Sequence, residues 1–165
     1  MSSKAKILPI ITIPNPILKK KSAEVEPKKI SSKELQELCL NMEKTMKDKK
    51  GVGIAAPQIG KNIRLIIINT KDGGVVMFNP KIIRKSLTKE WGEEGCFSVP
   101  DVFGQVKRHK KIECEYLDKT GKKIKIKAEG LMARVIQHEI DHLDGILFID
   151  KAVPSSKIRG GQGRS

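Results

Sequence analysis

The stretch Leu131-Met132-Ala133-Arg134-Val135-Ile136-Gln137-His138-Glu139-Ile140-Asp141-His142-Leu143 decides how the rest of the chain is read. Its apolar residues recur at helical spacing, and inside it stands H-E-x-x-H. Residues four apart lie one above the other on a helix, so the rings of His138 and His142 can converge on one point. Two imidazoles with an adjacent carboxylate, Glu139, are the parts of a hydrolytic metal site: two ligands and a base. The competing reading is a pair of core histidines. The chain has only three histidines, and two of them fall here, which favours the metal. Leu131 and Val135 share the face of the pair (i, i+4, i+7, i+11), either as pocket wall or as ordinary core, while Arg134, Gln137 and Asp141 form a polar stripe.

A chain of 165 residues with 38% apolar and 32% charged content fits one compact soluble unit that needs no disulfides. The expected division is a single domain over 1–150 and a basic, Gly-rich, disordered tail over 151–165. Three cysteines imply no disulfide framework and point to a reducing compartment. Ile7 to Ile13 is too short and broken for a signal core, and no later run approaches a membrane span, so a cytoplasmic enzyme is the default. The net charge is +14, with basic runs at Lys19-Lys20-Lys21, Lys107-Arg108-His109-Lys110-Lys111 and Lys122-Lys123. Two readings stay open: a solvated Lys-rich surface, and a face for nucleic acid or the ribosome. Base recognition usually adds stacking aromatics, and at 4% aromatic content sequence-specific nucleic-acid binding is not expected.

Upstream, Ile7–Ile13 reads as a strand or extended arm. Ser31-Ser32-Lys33-Glu34 offers a helix start, Ser31 being the cap that Glu34 follows three positions on. Leu35, Leu38, Cys39, Met42 and Met46 then trace an amphipathic helix of about four turns. Gly51-Val52-Gly53-Ile54-Ala55-Ala56-Pro57-Gln58 contains G-x-G-x-x-A, but a helix precedes it and Pro57 follows. That is the wrong context for a dinucleotide turn. Either it is a Gly-rich turn entering a strand, or its glycines bring the backbone close to a substrate while Gln58 presents its amide. Ile63–Asn69 and Val75–Phe78 read as strands around an Asp72-Gly73-Gly74 turn, with a further short strand over Ile82–Ser86 after Asn79-Pro80. Lys111–Tyr116 and Lys122–Lys127 alternate as a second hairpin. The fold class is therefore α+β: antiparallel β-sheets around a central C-terminal helix carrying H-E-x-x-H, with an N-terminal amphipathic helix.

A hydrolytic site of this kind takes three protein ligands and leaves a position for water. From Leu143 to Ser165 there is no Glu and no His. Asp144 and Asp150 stay open, but Asp144 falls about 200° round the helix from His142. Upstream, Cys39 and Cys114 lie on apolar faces, and His109 sits in a basic run. Cys96, in Glu93-Glu94-Gly95-Cys96-Phe97-Ser98, is the candidate that completes a Cys-His-His set, with Gly95 allowing close backbone approach.

Three segments, G-V-G-I-A-A-P-Q, E-G-C-F-S and Q-H-E-I-D-H, in this order and at these separations, resemble the signature motifs of peptide deformylases from about Ile7 to Ile149. The resemblance implies removal of the formyl group from N-terminal formyl-methionine of nascent peptides. It implies a metal on Cys96, His138 and His142, natively Fe(II), with Zn, Ni or Co able to substitute. By the same resemblance Glu139 is the acid/base, and Gln58 with the Phe97 backbone N–H binds the reacting carbonyl. Gly53, Ile54 and Gly95 match substrate-lining positions, and Arg108 a basic position near the peptide site; Leu131 and Val135 are placed to line a methionine pocket. Phe97 stands where Leu is commoner, Lys107 where many members carry Pro, and no long C-terminal helix is expected. Two alternatives remain beside this reading: a zinc endopeptidase on the same helix, and a ribosome-associated module with a structural metal.

Overall fold

In the computed structural model, which describes residues 4–154, seven strands and two α-helices are arranged as two antiparallel sheets with a helix buried between them. The larger sheet has the order β1-β2-β3-β6-β7, from Gly53–Ala55, Leu65–Thr70, Gly73–Lys85, Lys111–Leu117 and Lys123–Glu129. The smaller is the hairpin β4 (Lys89–Cys96) and β5 (Val99–His109). Helix α1 spans Lys33–Asp48 and α2 spans Gly130–Leu143.

The strand sequences report how many faces are covered. β2 is continuously apolar because it is buried on both sides: Ile66 and Ile68 pack toward α2, while Leu65 and Ile67 pack with Leu38, Cys39, Met42 and Met46 of α1. β6 alternates because only one of its faces is covered. Ile112, Cys114 and Tyr116 join the α2 core, and Glu113 and Glu115 point outward to Lys127 and Lys123. Each isoleucine sealed in this way contributes about 1.5–3 kcal/mol of burial. A third cluster, Leu18, Val99, Val106, Leu147 and Phe148, closes the far side beneath the hairpin.

Several local expectations need correction. Ser32, not Ser31, caps α1, its hydroxyl accepting from the Leu35 N–H. Asn79-Pro80 does not end a strand. β3 runs on through it as a bulge, because Asn79 adopts φ 50° and its amide pairs with both the N–H and the C=O of Val25. Of the two readings of Ile7–Ile13 the extended arm holds, tied by Ile11 N–H to Gln58 O and Ile13 N–H to Ser98 O. The expected tail does not begin at 151. Lys151 pairs with Asp141, and Val153 exchanges two backbone hydrogen bonds with Gln105; residues 155–165 lie outside the described part. Among the described residues no helix is long and apolar enough to cross a membrane.

Candidate metal centre and active site

The site forms where α2 faces the β4–β5 hairpin. Between Glu94↔Gly104 and Cys96↔Val99 the register shifts, so two residues of β4 span five of β5 and the segment 100–103 bulges outward. This leaves Cys96 at the end of β4, beside the turn formed by Phe97 and Ser98 and facing the helix. One ligand-type atom from each of Cys96, His138 and His142 lies within 4.8 Å of the others. The sulfur is 3.3 Å from His142 Nε2, and the two imidazole centroids are 5.1 Å apart. His138 presents its other nitrogen, Nδ1, to Glu94 Oε1 at 2.8 Å, the carboxylate–histidine pairing that orients a ligating imidazole.

These donors suit a cation. Burial, then the charges of His138 and Arg108, hold His142 well below its ordinary pKa, so its ring is the neutral, ligating form. Burial opposes charging His138. Hydrogen bonds to Cys96 and Glu94 and the charge of Glu139 outweigh it and lift its pKa to about 10. A metal ion bound by that ring would take the place of its proton. Thiolate and imidazole donors fit zinc and the later divalent metals.

Glu139 lies beside this group, deeply buried, with Oε2 lacking a partner among the described residues. Burial raises its pKa to about 7, partly offset by His138 and reinforced by Glu94. β1 makes room for it: a Cβ at Gly53 would stand 2.8 Å from Glu139 Oε1 and 2.8 Å from Val135 Cγ1, so the strand passes flush against the carboxylate. Gln58 has a fixed orientation, because the Ala55 N–H can donate only to its Oε1 (2.9 Å). Its Nε2 therefore faces Ser98 Oγ at 3.2 Å and the Cys96 sulfur at 3.4 Å.

A cleft of about 400 Å³ opens over these groups. Gly53, Gln58, Gly95, Cys96, Phe97, Val135, His138 and Glu139 line it, with Leu131, 67% exposed, at its mouth. Two expected site residues are elsewhere. Ile54 is fully buried and its side chain packs toward α1, because alternation along β1 turns it away from the cleft that Gly53 faces. Arg108 does not reach the cleft. It is 3% exposed and pairs with Glu94 and Asp141, the strand period having turned it inward from a run whose neighbours Lys107 and Lys110 stay exposed. Phe103 and Gly51, not singled out as site residues, also line the cleft. The Phe97 ring fills the space a Cβ at Gly51 would need, and the Phe103 ring does the same at Gly95.

A family profile described as polypeptide deformylase matches residues 7–157. The chain belongs to this family. It is 48% identical over 139 residues to the peptide deformylase of Dictyoglomus thermophilum, covering 84% of this chain and 88% of that protein. A ligand-bound structure of the class I type b peptide deformylase from Acinetobacter baumannii superposes with TM-score 0.87 at 40% identity, covering 89% of this chain and all of that one. The same enzyme bound to Met-Ala-Ser gives TM-score 0.85 at 39% identity, covering 92% and 99%. The protein is thus a hydrolase that removes the formyl group from nascent peptides, which excludes the endopeptidase and non-catalytic readings. The deformylase family is metal-dependent, and Cys96, His138 and His142 form the described group able to hold the ion.

The three cysteines of this deformylase should be chemically distinct. Burial pushes Cys39 up to about 12 and Cys114 up to about 11, leaving almost no thiolate at neutral pH. Cys96 is only half-buried and lines the cleft. Alkylation of chelator-treated protein at pH 7.5, read by intact mass and peptide mapping, is expected to give one adduct, at Cys96, and restored metal should suppress it. Labelling at Cys39 or Cys114 first would contradict this arrangement.

Proposed function

We propose that Cys96, His138 and His142 hold a single divalent ion and that Glu139, Gln58 and the Phe97 backbone N–H carry out deformylation beside it. The observation that supports this most is the unpartnered, buried Glu139 oxygen, which shares one cleft with three convergent metal donors. A divalent cation held there supplies Lewis acidity, the means by which water becomes a nucleophile near neutral pH. Glu139 accepts the proton that water gives up as its oxygen bonds to the formyl carbon. As the C–N bond breaks, Glu139 returns that proton to the departing amine, so formate and a free N-terminus leave. A raised carboxyl pKa suits both halves of this exchange.

Negative charge grows on the formyl oxygen during attack. The Gln58 amide, held by Ala55, and the Phe97 N–H in the β4–β5 turn are the donors available to it, each supplying about 3 kcal/mol at the barrier. Val135 and the flush backbone of Gly53 shape the wall for a methionine side chain, with Gly95 opposite and Leu131 at the rim. Ferrous iron is the proposed native ion, with Zn, Ni or Co as substitutes. The exposed lysines Lys107, Lys110 and Lys125 suit a substrate met at an anionic surface such as the ribosome, and the proposed compartment is the cytoplasm. The test is release of formate from a formyl-Met peptide against acetyl-Met and internal-peptide controls, with each site residue substituted in turn. Formyl-Met turnover that survives loss of Glu139 and Gln58 would remove these roles.

A further inference from the structure

The ligands of the proposed metal site come from two separate elements: Cys96 ends β4, while His138 and His142 ride on α2. How they are held together depends on the polar stripe of the helix, which does not face solvent. Arg134, Gln137 and Asp141 all turn onto the hairpin. Gln137 pairs with both the N–H and the C=O of His109, and Asp141 accepts from Arg108 at 2.5 Å. Arg134 reaches Glu94, the carboxylate that orients His138 and that Arg108 also grips through both oxygens. Arg134 Nη1 donates to Glu94 Oε2 at 2.7 Å and to Val106 O at 2.9 Å, and its Nη2 donates to Glu90 O at 2.9 Å. One guanidinium therefore grips β4 twice and β5 once, one helical turn before His138. Glu94, which it holds by one oxygen, uses the other to orient the His138 ring. The hairpin is shaped to admit this group: a Cβ at Gly92 would lie 2.7 Å from Arg134 Cζ and 2.8 Å from Nε.

We infer that Arg134 is a positioning residue that fixes the hairpin carrying Cys96 against the helix carrying the histidines, and so sets how firmly the metal is retained. This rests on the ligand set proposed above. A planar fork with several donors is suited to bridge a carboxylate and two carbonyls in fixed geometry, which an ammonium cannot do. Loss of such supporting contacts typically costs 10–100-fold in metal affinity.

The test uses the Co(II)- and Zn-loaded enzyme. It reads the rate of metal loss to a chelator and the thiolate-to-Co(II) absorption band, at a temperature where circular dichroism shows each variant folded. Arg134→Met is expected to lose metal at least about tenfold faster and to shift the band. Arg134→Lys should fall between it and the unaltered enzyme. Gly92→Ala should reproduce the faster loss with every charge still in place, by displacing the guanidinium. Unchanged loss rates and an unchanged band in Arg134→Met would overturn the inference, even with a lowered melting temperature, since a purely structural contact predicts that pattern. If Arg134→Met does not fold, unchanged values in both Gly92→Ala and Arg134→Lys overturn it equally. Cys96→Ser keeps the two ideas apart. If it leaves the band intact, the ligand set fails; if it abolishes the band while the Arg134 and Gly92 variants change nothing, only the positioning role fails.

Discussion

Glu139→Gln is expected to lower deformylation of a formyl-Met peptide by about 10²–10⁴-fold while metal content stays near that of the unaltered enzyme. The two readouts separate because Glu139 is placed beside the metal donors and is not one of the three convergent atoms. Gln fills the same space against Gly53 and Val135, so no cavity opens and the cleft keeps its shape. What is lost is the capacity to take a proton and hand it back. Elimination of the burial penalty on a carboxylate that is buried with one oxygen unpartnered should leave the variant at least as stable as its parent. Retained turnover would take Glu139 out of the mechanism. Metal loss parallel to activity loss would instead make it a ligand or a support for one.

The second large effect is on stability. Glu94→Ala should cost about 3–5 kcal/mol, because it leaves Arg108 and Arg134 buried without their shared carboxylate and removes the Nδ1 partner of His138. For a chain of this size that corresponds to a drop on the order of 10 °C in melting temperature. Glu94→Gln, which keeps an acceptor and the shape, should cost less. The pH dependence follows from the direction of the shift. Burial alone would raise the Glu94 pKa, but hydrogen bonds from Arg108 and His138 and their charges hold it well below the usual carboxylate range. Its stabilising contribution is complete above the unfolded-chain value of about 4.3 and falls away as the pH drops below that. Between pH 7 and pH 3 the parent should therefore lose more stability than Glu94→Ala does. Equal loss would show that Glu94 does not carry the acid sensitivity.

How legible all this was depended on whether a residue's role is written in its local period. β2, β6 and β7 could be read because one- or two-sided burial leaves a continuous or alternating apolar pattern. The pairing of Cys96 with the two histidines was legible because few residue types can ligate a metal and only a handful occur. The β4–β5 hairpin was not, since its buried apolar residues, Val99 and Val106, are interrupted by buried Glu94, Ser98 and Arg108, which look like surface residues until their partners are known. Arg108 was misplaced for the same reason: a charged side chain is buried only when its partners arrive from distant segments, and neighbouring residues carry no sign of that. Ile54 shows the smaller error: its neighbour Gly53 faces the cleft as expected, but strand alternation turns the Ile54 side chain to the α1 core. Phe103 could not have been found at all, because a bulge in β5 brings its ring onto Gly95.

The central claim is that one sulfur and two imidazoles share an ion. X-ray absorption at the metal edge of the loaded enzyme tests it most directly, compared with Cys96→Ser. The expected spectrum contains a single sulfur scatterer, two imidazole shells and a light-atom position exchangeable with solvent, and the sulfur shell vanishes in the variant. A spectrum without sulfur, one unaltered by Cys96→Ser, or one whose fourth position is a protein side chain would contradict the account.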